Sequence, residues 1–119
     1  MKLLIAGSRD YPTNGNFNDK MNELVKLFGV PSEVVSGHCK TGPDKLGEDW
    51  AKQNNIPVKL FPADWDKFGR SAGPIRNKHM AEYCDRAIVF WDGQSRGSQN
   101  MINELKRFNK AYHVIYPHS

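Results

Sequence analysis

Cysteine, long apolar runs and clustered charge are all scarce in this chain, and each scarcity removes a class of protein. Cys39 and Cys84 are the only cysteines; they form neither a C-x-x-C pair nor any other zinc or disulfide spacing, and they read as reduced thiols. His79 and Cys84 lie five apart on a predicted helix and do not share a face, so no metal site is expected, and no cofactor either. No apolar stretch approaches the roughly 20 residues of a membrane span. The N-terminal run Leu3 to Ala6 is too short for a secretory leader. A cytoplasmic protein with no membrane partner is the expectation. Seventeen Lys and Arg against thirteen Asp and Glu leave a net charge of +4, which favours anionic partners without naming one. The cations are scattered, with no basic stripe interleaved with aromatics, so nucleic acid is a poor partner on this reading. Neither G-x-x-x-x-G-K-[ST] nor G-x-G-x-x-G occurs, which removes the ATP-hydrolysing P-loop and the standard dinucleotide fingerprint.

What remains is a regular alternation. At 119 residues the chain is one domain by size, residues 1–119. Short apolar strands over Lys2 to Ala6, Glu33 to Ser36, Val58 to Phe61, Arg86 to Trp91 and Tyr112 to Tyr116 alternate with helical spacings. The first helix carries Phe17, Met21, Leu24, Val25 and Phe28 and closes at Gly29; the second presents Leu46, Trp50 and Ala51 behind Pro43. The third has Ile75, His79 and Tyr83 on one side, and the fourth runs from Ser98 to Asn109. Strands alternating with helices predict a single Rossmann-like three-layer α/β/α domain around a mostly parallel five-stranded sheet. The apolar surface of the third and fourth helices would suit a homo-oligomer.

Each strand of the first four ends in a polar break, and in such sheets ligands bind outside the carboxyl ends of the strands. "GSRDYP" brings Gly7, Ser8 and Arg9; "SGHCKTGPD" brings Ser36, Gly37, His38, Thr41, Gly42 and Asp44; "WDGQSRGS" brings Trp91, Asp92, Gly93, Ser95, Arg96, Gly97 and Ser98. Small residues before a helix expose unpaired N–H groups at the positive end of its dipole, which suits phosphate or carboxylate. Arginine adds a planar fork for a phosphate. Arg76, with Asn77 in "GPIRN", falls in the first turn of a helix pointing toward the sheet's carboxyl edge, whereas Arg70 reads as a bystander. Trp65 and Trp91 are candidates to stack on a base, and Asp64 and Asp92 to accept from sugar hydroxyls.

Taken in order, "AGSRDY", "VVSGHCKTGPDKLGEDWA" and "FPADWDKFGRSAGPIRNKHMAEYCDRAIVFWDGQSRGSQNMI" resemble the YspA-like proteins of the SLOG superfamily, over nearly the whole chain. The resemblance implies a compact domain binding a nucleotide or nucleotide-derived ligand, with LOG phosphoribohydrolases and DNA-binding DprA proteins among its relatives. It matches Gly7, Ser8 and Arg9 to the first ligand loop, Ser36 and Gly37 to the second, and Arg76 to the arginine before the last glycine motif. Asp92, Gly93, Gly97 and Ser98 look like that motif, which in LOG enzymes reads P-G-G-x-G-T-x-x-E. The glutamate position holds Met101 here, and Glu104 lies about 4 to 5 Å further along the helix.

Three functions follow in order of support. The first is sensing or sequestration of a nucleotide-derived small molecule. The second is hydrolysis of a nucleotide, in the manner of an N-glycosidase, with Arg76 on phosphate and Asp92, Asp64 or Glu104 supplying the carboxylate. The third is single-stranded nucleic-acid binding.

Overall fold

The computed structural model describes residues 1–11 and 16–117, with side chains from Phe17 in the first helix. Pro12, expected to close the first break, lies outside them. Five strands, β1 (Lys2–Gly7), β2 (Glu33–Ser36), β3 (Val58–Leu60), β4 (Arg86–Phe90) and β5 (Ala111–Ile115), form one sheet in the order β3-β2-β1-β4-β5. Every neighbouring pair is parallel, with Leu3 opposite Val34 and Ile5 opposite Ile88. The expected fold class holds.

Alternation along the strands explains the three layers. Leu4 and Ala6, with Val35, Ala87 and Val89, face Met80, Ala81, Met101, Ile102 and Leu105. Those last five come from α4 (Ala72–Tyr83) and α5 (Arg96–Arg107). Leu3, Ile5, Val34, Ile88 and Phe90 face the other way, onto Phe17, Met21, Trp50 and Ala51 of α1 (Asn16–Phe28) and α2 (Gly42–Gln53). Burial on both faces is why β1 and β4 read as unbroken apolar runs rather than alternating ones. Among the described residues no helix is long and apolar enough to cross a membrane.

Two departures from the sequence reading concern the helices. The tract "PADWDKFGRSAGP" is not wholly irregular: it holds a one-turn helix, α3 (Trp65–Phe68), and a 3₁₀ turn (Gly69–Ser71), neither burying a side chain. Asp64 caps α3 by accepting from the Lys67 amide at 3.1 Å, and Gly69, at φ 56°, ends it. On α4 the buried face is Ala72, Gly73, Asn77, Met80 and Ala81, while His79 is exposed. Small residues admit the close approach of α5, and they leave no apolar stripe to read.

Candidate functional site: a cleft where strand order reverses

The chain turns one way from β1 through α1 to β2, and the other way when α4 delivers β4 to the opposite side of β1. The loops after β1 and β4 therefore diverge, and a cleft of about 490 Å³ opens between them. Crevices at such reversals, in this size range, are where α/β sheets hold small ligands. Gly7, Ser8, Arg9, Asp44, Arg76, Asn77, Asp92, Ser95, Gly97 and Ser98 all line it, so the structure brings ten of the expected residues together.

The wall beneath α5 is built from neutral groups. Ser8, buried at 1% exposure, accepts the Asp92 amide on its hydroxyl at 3.1 Å and lies 3.3 Å from the Ser98 hydroxyl. That pair ties the end of β1 to the first turn of α5. One oxygen of Asp92 accepts from the Gln94 and Ser95 amides, both at 2.8 Å, folding the turn back on itself. Those two amides, Gln94 first, hold the Asp92 carboxyl below its usual range. Asp92 is thus an ionised turn-former, poorly suited to give up a proton as a general acid. Ser95 caps α5 by accepting from the Ser98 amide at 3.4 Å, and Trp91 donates its indole N–H to the Ser95 carbonyl at 3.1 Å. Gly93 adopts φ 86°, which favours glycine, and among the described residues beyond its chain neighbours no atom stands within 4 Å of where its Cβ would be.

The opposite wall, between α2 and α4, is charged. Arg76 donates Nη1 to the Gly37 carbonyl at 2.7 Å and Nε to Asn77 at 3.0 Å. Asn77 donates in turn to Asn100 at 2.9 Å and to the Gly97 carbonyl at 3.3 Å, so the guanidinium is braced against α5. A Cβ on Gly37 would stand 2.6 Å from Arg76 Nη1 and 3.0 Å from an Asp44 oxygen, so glycine is what lets the two charges flank this loop. Asp44, 8% exposed, accepts from the Cys39 amide at 3.3 Å. Burial pushes its carboxyl up to about 6, against the opposing pull of that amide and of Arg76. Burial likewise lowers Arg76 from its ordinary value, with Asp44 opposing.

The remaining expected residues stand elsewhere. Ser36, Gly37 and His38 lie just behind the charged wall, where Ser36 donates to Glu48 at 2.7 Å. Thr41 is exposed ahead of α2, and Gly42, at φ 73°, lets that loop approach the Ser8 and Arg9 carbonyls. Trp65 is 56% exposed on α3; Trp91 braces its own turn and meets Tyr116 with the rings tilted by 39° and their centroids 5.9 Å apart. Arg96 is exposed at the start of α5. Glu104 does not line the cleft: one oxygen lies 3.6 Å from Arg107, and the other is buried without a hydrogen bond among the described residues. Met101 does line it, as do Asp10, Cys39 and Gln94, which the sequence reading passed over. Glu48, also passed over, carried one legible signal: it lies four residues after Asp44, on the same face of α2. Among the described residues no group of three or more His, Cys, Asp and Glu could hold a metal ion.

A doubly wound α/β domain with a polar cleft at its strand reversal belongs to the broad class of Rossmann-like folds, whose ligands bind at the carboxyl edge of the sheet. Within that class the chain belongs to the YspA, cpYpsA-related SLOG family, whose profile matches residues 1–68. Membership points to a nucleotide-related function. The match spans β1 to α3 and so includes Ser8, Gly37 and Asp44, while Arg76 and the Asp92–Ser98 turn lie beyond it. The chain is also similar to the Gene 61 protein of Mycobacterium phage D29, at 28% identity over 112 residues and 89% of each chain. No solved structure matches it.

Proposed function

We propose that the protein binds a phosphate-bearing, nucleotide-derived small molecule in the cleft, with the phosphate at the first turn of α5 and facing Arg76. One observation carries this reading: the N-terminal turn of a 12-residue helix and a braced, half-buried arginine line the same 490 Å³ cleft. Helix-end amides and a guanidinium fork are complementary to a phosphate's charge and shape. Arg9, on the same cleft, adds a second cation. The site is preformed, because Ser8, Asp92, Ser95 and Ser98 already hold one another, so little ordering is charged against binding. Binding is favoured over LOG-like hydrolysis because Met101 stands where that motif has its glutamate, Asp92 is spent on its turn, and Glu104 lies outside the cleft. Native mass spectrometry of the protein as purified from cells tests the reading. A bound mass that fragments to a nucleotide, at lower occupancy in Arg76→Ala, is the expected result; a cleft that takes no phosphate compound, even from millimolar AMP or ADP-ribose, overturns it.

A further inference from the structure

Asp44 stands in the first turn of α2, where an acid on the surface is enough to serve the helix dipole. Here it lines the cleft instead, 8% exposed, and its Oδ2 reaches back to accept the Cys39 amide at 3.3 Å. The other oxygen, Oδ1, takes no hydrogen bond from the described residues. It is not shut off from solvent as the unbonded Glu104 oxygen is, so it opens onto the cleft. Arg76 is the cation beside it: a Cβ on Gly37 would stand 2.6 Å from Arg76 Nη1 and 3.0 Å from Asp44 Oδ2. The two charges nevertheless form no ion pair. Nη1 goes to the Gly37 carbonyl and Nε to Asn77, which leaves Nη2 uncommitted among the described residues. The other charged or titratable groups around Asp44 are Glu48 on its own helix and His38 on the loop after β2, while Arg9 and Asp10 line the cleft after β1 and Asp92 after β4. A carboxylate so desolvated, with one oxygen unbonded, is costly until a donor meets it. An ionised phosphate on Arg76 has no proton to offer, and a second acceptor beside it would meet Asp44 as a repulsion. The group next to the phosphate must therefore donate, and in a nucleotide-derived molecule the donors nearest the phosphate are the hydroxyls of its sugar.

We propose that Asp44 is the sugar-binding residue of the cleft: Oδ1 accepts from a ribose hydroxyl while Arg76 holds the phosphate on the same sugar, so that the site selects hydroxylated over deoxygenated sugar phosphates. The proposal rests on the cleft's being a phosphate site and adds the part of the ligand next to the phosphate. The preference carries a pH dependence. Burial pushes the Asp44 carboxyl up to about 6, and the ionised form, the stronger acceptor, gains share as pH rises through that value.

The test is calorimetry on the full chain with AMP and with 2′,3′-dideoxy-AMP, which carries the same base and phosphate. The wild type binds AMP about 10-fold more tightly at pH 7, and the ratio narrows at pH 5. Ionisation of the phosphate is common to both ligands and cancels in the ratio. In Asp44→Asn, whose urea midpoint reports that it is folded, the preference shrinks and no longer changes with pH, although Glu48 and His38 are still present. Should that variant not fold, the wild-type ratio and its pH dependence decide alone. Equal affinities in the wild type, a ratio that is flat with pH, or a preference that Asp44→Asn keeps in full overturns the sugar assignment and leaves the phosphate reading standing. Failure of both ligands to bind at millimolar concentration overturns the phosphate reading, and the sugar assignment with it.

Discussion

The two walls of the cleft solve the problem of a polar interior in different ways. Under α5 the groups are mostly hydroxyls and backbone amides that hold one another: Ser8 with Ser98 and the Asp92 amide, and the Asp92 carboxylate with two amides of its own turn. Between α2 and α4 the groups are charged and partly desolvated, with Asp44 raised and Arg76 lowered by the same burial. A wall of mutually bonded dipoles is rigid and keeps its shape. A wall of desolvated charges costs stability, and such costs concentrate where charge is used. The difference assigns the shape of the cleft to one side and its charge response to the other.

Gly7 is where the walls meet, and substitution there breaks the comparison most severely. A Cβ on Gly7 would collide with the Phe90 carbonyl oxygen and stand 2.6 Å from Pro43 Cγ at the start of α2. The carbonyl belongs to a central strand and cannot swing aside. Gly7→Ala should therefore cost about 3 kcal/mol of stability, read from urea unfolding. A cost below about 1 kcal/mol would mean that β1 and α2 move apart freely, and the walls would not be fixed relative to each other.

Arg76→Ala removes the charged wall's cation without touching the neutral one. Loss of a charge-assisted pair to phosphate is worth about 2 kcal/mol. Binding of a nucleotide ligand should therefore weaken roughly 30-fold by calorimetry. The neutral wall predicts a residue of binding that survives. An unchanged affinity would place the anion wholly on the α5 side.

How much of this was legible follows the distance over which each cause acts. Strands and breaks are local: Leu3 to Ala6 and Ala87 to Phe90 announce themselves by composition, and the polar residues after them mark the sheet's carboxyl edge. The order β3-β2-β1-β4-β5 is set by pairings between distant segments, so only the class of fold could be read. The role of Gly37 depends on Arg76, 39 residues away, and nothing near Gly37 reveals it. The buried face of α4 was misplaced because Asn77 is buried by its bonds to Gly97 and Asn100 rather than by apolarity. Trp91 looked like a stacking ring by residue type, yet its indole N–H is committed to the Ser95 carbonyl.

The smallest expected effect sharpens the contrast through pH. In the unfolded chain Asp44 ionises above about pH 4; in the fold burial delays this until about 6. Between those values the folded protein holds the extra proton, so stability falls as pH rises through the window, and the cost is fully present above it. Asp44→Asn has no proton to lose there. The shift caps the gain at about 3 kcal/mol, but the new amide brings two N–H donors that need partners, so about 1 kcal/mol of added stability at pH 7 is expected. The amide's cost does not vary with pH, so the variant should be the less stable protein near pH 4 and the more stable one at pH 7, with the urea midpoints crossing between about 4 and 6, and the difference cancels every other carboxylate. Parallel profiles would show that Asp44 titrates like a solvated residue, and the charged wall would then carry no more strain than the neutral one.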